Sequence, residues 1–182
     1  MKKMIIALGA VVFAASVQAA AVYWTATNVY AGNTTDKASG VAYFVTTSMA
    51  TVDSWGSLSS AAQFQEALAG AYSWTPTTAG TYSVGSSAAV ANSTLGLADS
   101  TAYTGYLIVF DTATITDASK YYITATKSFS TLTGTSNASV AFGNQKTNSQ
   151  NAANWTAVVP EPTSGLLMLV GLGALALRRR RA

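Results

Sequence analysis

The order of apolar and polar positions divides the chain into a long middle section and two apolar ends. In the middle section, residues 22–30 place Val22 and Trp24 on one face and mostly polar or aromatic side chains on the other, which predicts a strand with one buried face. Residues 41–47 and 103–110 are apolar on both faces, and the second run is the most apolar of the middle section. We therefore expect residues 103–110 to form the centre of a sheet.

One segment has the period of a helix instead. Leu58, Phe64 and Leu68 fall at helical spacing, and Ser60 followed by Gln63 has the form of a capping box. We expect a short helix after Ser60 that packs its apolar stripe on the sheet. Weaker strand patterns lie at residues 81–84, 88–91, 120–127 and 138–142.

The composition of residues 20–142 is typical of a β-rich exported domain, because β-branched and aromatic residues favour strands and small polar residues favour turns. The predicted fold is mainly β, a single β-sandwich-like domain with one short helix. Residues 143–158 contain many Asn, Gln and Ser residues and few apolar ones. They are predicted to form a flexible polar linker.

The N-terminal end has the three parts of a secretory signal peptide. Lys2 and Lys3 precede an apolar run at residues 5–17, and small residues follow. The most favoured cut is after Ala19, with Ala21 as the alternative end, since small side chains are needed at the first and third positions before the cut. Signal peptidase and the secretion machinery are therefore expected partners.

The C-terminal end places three different chemistries in a fixed order. The prolines of Val159, Pro160, Glu161 and Pro162 interrupt any regular structure that arrives from upstream. Residues 164–177 form an uncharged run that favours a transmembrane helix, although it is short for a bilayer. The membrane stop follows at Arg178, Arg179, Arg180 and Arg181. Since clustered arginines stay in the cytoplasm, the domain before Pro160 is expected outside, and membrane lipid is an expected partner.

This end resembles the PEP-CTERM sorting domain of bacterial exported proteins over residues 159–182. The resemblance implies recognition of Pro160, Glu161 and Pro162 by exosortase, a membrane-embedded processing enzyme. It also implies an inner-membrane precursor with its C-terminus in the cytoplasm, and delivery of the body to the cell surface, often alongside exopolysaccharide. The alternative is an ordinary C-terminal anchor that is retained.

Charge and composition exclude several functions. The whole chain has a net charge of +3, but residues 20–158 carry four lysines and six carboxylates, which is a net charge of −2. Such a body has no basic surface for nucleic acid. The sequence contains no Cys and no His, which excludes thiol nucleophiles, Ser-His-Asp triads and the common zinc sites. We expect no cofactor, no metal and no catalytic residues.

Four weaker patterns remain in the body. Trp55 and Trp155 lie in predicted loops and are the candidate ligand-binding residues, since exposed aromatic rings can stack on sugars. Asp111 and Asp117 form the best-placed acidic pair for a glycoside hydrolase, although turn and cap roles are favoured. Residues 32–36 come closest to a calcium-binding loop, although they lack its spaced Asp and Asn residues. Recurring Thr-x-Thr rows suggest an ice-binding face. The favoured function is a non-enzymatic surface or matrix protein, and the alternative is a carbohydrate-binding or adhesive module.

Overall fold

The computed structural model describes residues 20–159, and within them the chain forms nine β-strands and two short α-helices. The elements in chain order are β1 Ala21–Thr27, β2 Ala42–Thr46, α1 Ala61–Ala67, β3 Tyr72–Trp74, β4 Val90–Ala91, β5 Ala102–Phe110, β6 Lys120–Ile123, β7 Lys127–Ser130, β8 Asn137–Asn144, α2 Lys146–Gln150 and β9 Trp155–Ala157. Short 3₁₀ turns lie at Val52–Ser57, Ser86–Ala88 and Ala152–Asn154.

Six strands form an antiparallel sheet in the order β3-β2-β5-β6-β9, with β7 pairing with the first half of β5. Strand β5 is its centre, as the sequence predicts, and residues 105–110 are buried without interruption. An uninterrupted run of this kind requires cover on both faces of the sheet, because successive side chains point to opposite sides.

A three-stranded sheet in the order β4-β1-β8 shares an apolar core with one face of the larger sheet. Trp24 of β1 is fully buried, and its ring stacks on Phe44 of β2 with 4.5 Å between ring centroids. Strands β1 and β8 run parallel along the whole of β1, so the first and the eighth strands of the domain are neighbours. The mainly β class is confirmed.

Helix α1 covers the opposite face of β5, and the prediction of a helix after Ser60 is confirmed. Phe64 is fully buried there and its ring lies against Phe110, with 5.9 Å between centroids. The cap differs slightly from the expected box. The Ser60 hydroxyl accepts the Gln63 N–H at 3.3 Å, but the Gln63 side chain accepts the N–H of Ser59 at 2.7 Å.

The prediction of a flexible linker at residues 143–158 is wrong. This segment contains the end of β8, helix α2 and strand β9. Its polar side chains make internal hydrogen bonds: buried Gln145 accepts the Tyr122 hydroxyl at 2.7 Å, and the hydroxyl of buried Ser149 donates to the Gln145 carbonyl at 2.7 Å. Polar composition therefore does not indicate disorder here, because buried polar groups are stable when they are paired.

Two weaker strand predictions also need correction. Residues 120–127 do not form one strand, because the chain leaves β6 after Ile123 and begins β7 at Lys127. At the break, the Thr124 N–H donates to the Leu107 carbonyl at 3.0 Å, and the Thr124 hydroxyl accepts the Leu107 N–H at 3.0 Å. Residues 81–84 contribute only a single bridge, from Val84 to Trp24.

The predicted signal peptide and the predicted transmembrane segment at residues 164–177 lie outside the described residues. Among residues 20–159, the structure contains no helix with the length and apolar character needed to cross a bilayer.

Gly40, which precedes β2, lies against the end of β5, and a substitution there tests this packing. A Cβ at Gly40 would collide with the backbone of Phe110 and Thr112, so we expect Gly40→Ala to lower the free energy of unfolding by about 1–3 kcal/mol or more. Urea denaturation measures this effect. Gly56→Ala is the matched control, because no atom lies within 4 Å of its Cβ position. Equal stability of the two variants would contradict the described packing.

Candidate functional site at the end of the folded body

The described fold continues to the edge of the C-terminal motif. Strand β9 pairs with β6 in a register that places Ala157 opposite Lys120. The next residue, Val158, has no exposed surface, and its N–H donates to the Ser119 carbonyl at 2.9 Å. Val159 is half-buried and packs on the same apolar cluster as α1. The last core residue therefore stands two positions before Pro160.

Trp155 fixes the start of this final strand. Only 8% of its surface is exposed, and its indole N–H donates to the Ser149 carbonyl at 2.8 Å. The ring stacks on Tyr122 with 5.7 Å between centroids. The prediction that Trp155 is an exposed ligand-binding residue is wrong, because Trp155 begins strand β9 and its ring is part of the apolar core.

Trp55 is also buried, with 1% exposed surface, so its predicted exposure is wrong as well. It lies in the 3₁₀ turn Val52–Ser57 and its indole N–H donates to the Tyr106 hydroxyl at 2.7 Å. That hydroxyl in turn donates to the Ala50 carbonyl at 2.8 Å. Burial raises the pKa of Tyr106 to about 12, although the Trp55 hydrogen bond acts in the opposite direction. The two predicted ligand-binding tryptophans are held in separate parts of the core and do not come together.

Asp111 and Asp117, the acidic pair of the sequence analysis, accept hydrogen bonds from backbone N–H groups. Asp111 accepts the Lys120 N–H at 2.8 Å, at the turn between β5 and β6. Asp117 accepts the N–H of Ala61 at 2.8 Å, which caps the start of α1 from a distant loop. In the loop at residues 32–36, the Asn33 side chain accepts the N–H groups of Thr35 and Asp36. Within residues 20–159, the structure has no cluster of three side chains suited to metal binding.

A groove of about 510 Å³ lies beside β6 and β9. Its lining residues come from the Val52–Ser57 turn, from β6 and the loop after it, and from the segment between α2 and β9. They are Val52, Asp53, Gly56, Tyr121, Tyr122, Ile123, Ala125, Asn148, Asn154 and Thr156. The groove offers one carboxylate, two amides and a hydroxyl beside two tyrosines that are themselves largely buried. Sequence reasoning missed it because three segments far apart in the chain form it.

The residues after β9 match a known sorting signal. The family model described as the PEP-CTERM protein-sorting motif matches residues 158–181. The chain carries a PEP-CTERM protein-sorting motif. The match includes the predicted sorting motif at Val159, Pro160, Glu161 and Pro162 and the predicted membrane stop at Arg178, Arg179, Arg180 and Arg181.

The family match covers only the sorting motif. No curated protein and no solved structure matched the chain. The PEP-CTERM match begins at Val158, which is a core residue of the domain. The sorting motif and the folded body therefore overlap at Val158 and Val159. All residues of the motif after Val159 lie outside the described residues.

We expect Trp155→Ala to lower the free energy of unfolding by about 3–5 kcal/mol, because it removes a buried aromatic ring. It also removes one of the two N–H groups that donate to the Ser149 carbonyl, the other being that of Gly32. Thr156→Ala is the matched control; this neighbouring side chain is exposed, and the loss of its strand preference and of its hydrogen bond to Tyr121 should cost about 1 kcal/mol or less. Urea denaturation followed by intrinsic fluorescence measures both. A similarly small change in unfolding free energy for both variants would contradict the burial of Trp155 in the core.

The raised pKa of Tyr106 makes stability sensitive to alkaline pH. A tyrosine in the unfolded chain loses its proton near pH 10, whereas the folded protein holds it to about pH 12. The stabilisation is complete below the unfolded pKa, and we expect it to be lost as the pH rises through the folded pKa. In Tyr106→Phe the decline in unfolding free energy between pH 10 and 12 should be shallower. An unchanged slope in denaturant titrations would contradict this assignment.

Proposed function

We propose that this protein is a non-enzymatic component of the cell surface or the extracellular matrix, first held in the membrane by its C-terminal segment and then sorted through its PEP-CTERM tail. The PEP-CTERM motif marks the chain as an exported substrate of exosortase. Association of the released body with exopolysaccharide is part of the proposal. Signal peptidase, the secretion machinery and membrane lipid are its other proposed partners.

The observation that supports this most is the direct junction between the body and the label. Val158 is buried, and residues 159–163 are the only ones between it and the predicted transmembrane segment at residues 164–177. The six steps from Val158 to residue 164 span at most about 20 Å when the chain is fully extended. A membrane-held precursor would therefore keep the β6–β9 end of its body close to the bilayer, with Pro160, Glu161 and Pro162 in the narrow space between.

The charges of the tail fit an orientation with the domain outside the cell membrane. Four arginines follow the apolar run and only Glu161 precedes it within the motif. Positive charge is retained on the cytoplasmic side, so the stop would hold the C-terminus inside.

A structural role for the body is supported by how its candidate catalytic groups are used. Asp111 and Asp117 each accept a backbone N–H, one at the β5–β6 turn and one at the N-terminus of α1. Carboxylates in such positions stabilise turns and helix ends. We therefore assign both to the fold and propose that the body is displayed as a stable module.

A carbohydrate-binding module is the second candidate. The groove beside β6 and β9 supports it better than Trp55 and Trp155 do, because both tryptophans are buried. Amide and carboxylate groups suit the hydroxyls of a saccharide. If the groove binds glycans, Asp53→Asn together with Asn154→Ala should abolish binding on a glycan array, and Gln65→Ala on the α1 surface should not. If the unaltered protein binds no glycan, the carbohydrate-binding proposal is wrong and the matrix role remains.

We expect the double variant Pro160→Ala, Glu161→Ala to accumulate as an uncut precursor in the membrane fraction, because the recognition residues of the motif are lost. Thr163→Ala lies in the same short segment outside these residues and should be processed normally. Intact-mass measurement of surface-released protein and immunoblotting of membrane fractions report both outcomes.

The same mass measurement tests processing itself. Surface protein that still carries Arg178 to Arg181 would contradict removal of the tail, and its recovery in the membrane fraction would support a retained anchor. A double variant that is released with the same mass as the unaltered protein would contradict the recognition role of Pro160 and Glu161.

A further inference from the structure

We propose that the groove beside β6 and β9 binds a saccharide chain that carries free, positively charged amino groups, and that Asp53 is the residue that selects this charge. The inference rests on the carbohydrate-binding candidate for the same groove and adds the chemical class of its ligand. It follows from the polar and charged atoms that the fold leaves unused at the groove.

Asp53 carries a carboxylate that the fold does not use. Its side chain is exposed at the groove, and it makes no hydrogen bond to another residue of the described range 20–159. Apart from Glu66 on α1, the other carboxylates of this range accept hydrogen bonds from the fold: Asp36, Asp99, Asp111 and Asp117. Both oxygens of Asp53 therefore stay available to accept hydrogen bonds from a ligand.

The turn that carries Asp53 is held in place by the core. Trp55, two positions later, has 1% exposed surface, and its indole N–H donates to the Tyr106 hydroxyl at 2.7 Å. Its ring stacks on Phe64 with 5.8 Å between centroids. The backbone at Asp53 therefore needs little ordering when a ligand binds, which lowers the entropic cost of binding.

The segment between α2 and β9 adds a second acceptor. The Asn154 side-chain amide donates to the Asn148 carbonyl at 2.8 Å, which orients the amide and leaves its oxygen as an acceptor. An ammonium group has three donors and no acceptor, so a carboxylate and an amide oxygen in one groove suit it. Half-buried Val52 and Ile123 supply apolar surface for the C–H groups of a sugar ring.

The charge of the groove decides between classes of saccharide. Asp53 is the only charged residue among its described lining residues, and none of the four lysines of residues 20–159 lines it. A cleft lined by charge of one sign concentrates ligands of the opposite sign, and like charges disfavour the wrong ligand. The groove therefore favours a chain with free amino groups over a neutral one, and disfavours a chain with carboxylates.

The test compares three oligosaccharides of equal length by isothermal titration calorimetry with the full-length protein in detergent. They are a glucosamine oligomer with free amino groups, the same oligomer fully N-acetylated, and an oligomer of galacturonic acid. At mildly acidic pH, where sugar amines are protonated, we expect the amino oligomer to bind about fivefold or more tightly than the N-acetylated one. The acidic oligomer should not bind, and the preference for the amino oligomer should shrink as salt is added.

The decisive variant is Asp53→Asn, which removes the charge and nearly preserves the shape of the side chain. We expect it to lower affinity for the amino oligomer about fivefold and to leave affinity for the N-acetylated oligomer unchanged. Glu66→Gln is the matched control, because it makes the same change of charge at an exposed position of α1 that does not line the groove. Both variants should keep the urea denaturation midpoint of the unaltered protein, so that lost binding is not lost folding.

The outcomes separate this inference from the carbohydrate-binding candidate. Equal affinity for the amino and N-acetylated oligomers, or full binding of the amino oligomer by Asp53→Asn, would overturn the inference and leave carbohydrate binding in place. A lysine oligomer that binds as tightly as the amino oligomer would overturn it as well, because charge alone would then be recognised. If no oligosaccharide binds and the glycan array is also blank, both proposals are wrong.

Discussion

Strand β5 supplies apolar side chains to both faces of the six-stranded sheet, so each face needs its own cover. The three-stranded sheet covers one face through Trp24, and α1 with the Val52–Ser57 turn covers the other through Phe64 and Trp55. Burial of large aromatic rings contributes much of the stability of such a core. Trp24 and Trp55 are therefore part of this cover.

The same requirement extends the core to both ends of the described residues. Ala20 is buried immediately before β1, the central strand of the three-stranded sheet, and Val158 is buried immediately after β9, the edge strand of the larger sheet. No spacer separates the core from the predicted signal peptide, which ends at Ala19, or from the sorting motif, which begins at Val158. Both segments are therefore joined directly to residues that the fold buries.

Much of the fold follows from local sequence patterns. Residues 103–110 are apolar on both faces and form the central strand β5, and the Ser60–Gln63 pair marks the start of α1. The sorting label was recognisable because its three chemistries stand in sequence order and need no tertiary contact. Long-range pairing was not predictable in this way: the parallel match of β1 with β8 joins the two ends of the domain and leaves no local signal.

The errors share one physical cause. The segment from Gly143 to Asn154 is polar, yet Gln145 and Ser149 are buried because hydrogen-bond partners reach them from β6 and from the loop after β1. Trp155 looked like a loop residue, but Tyr122 and the Ser149 carbonyl provide a place for its ring and its N–H. Burial of a polar segment or a tryptophan depends on partners that arrive from elsewhere in the chain, and the local sequence does not contain them.

Amide hydrogen exchange at Val158 in the full-length chain tests most directly whether the sorting label is attached to the core without a linker. Its N–H donates to the Ser119 carbonyl and its side chain has no exposed surface. We expect this amide to exchange as slowly as the hydrogen-bonded amides of β6, since both open only when the edge of the sheet opens. Exchange of Val158 at the rate of an unstructured peptide, while β6 stays protected, would contradict the account.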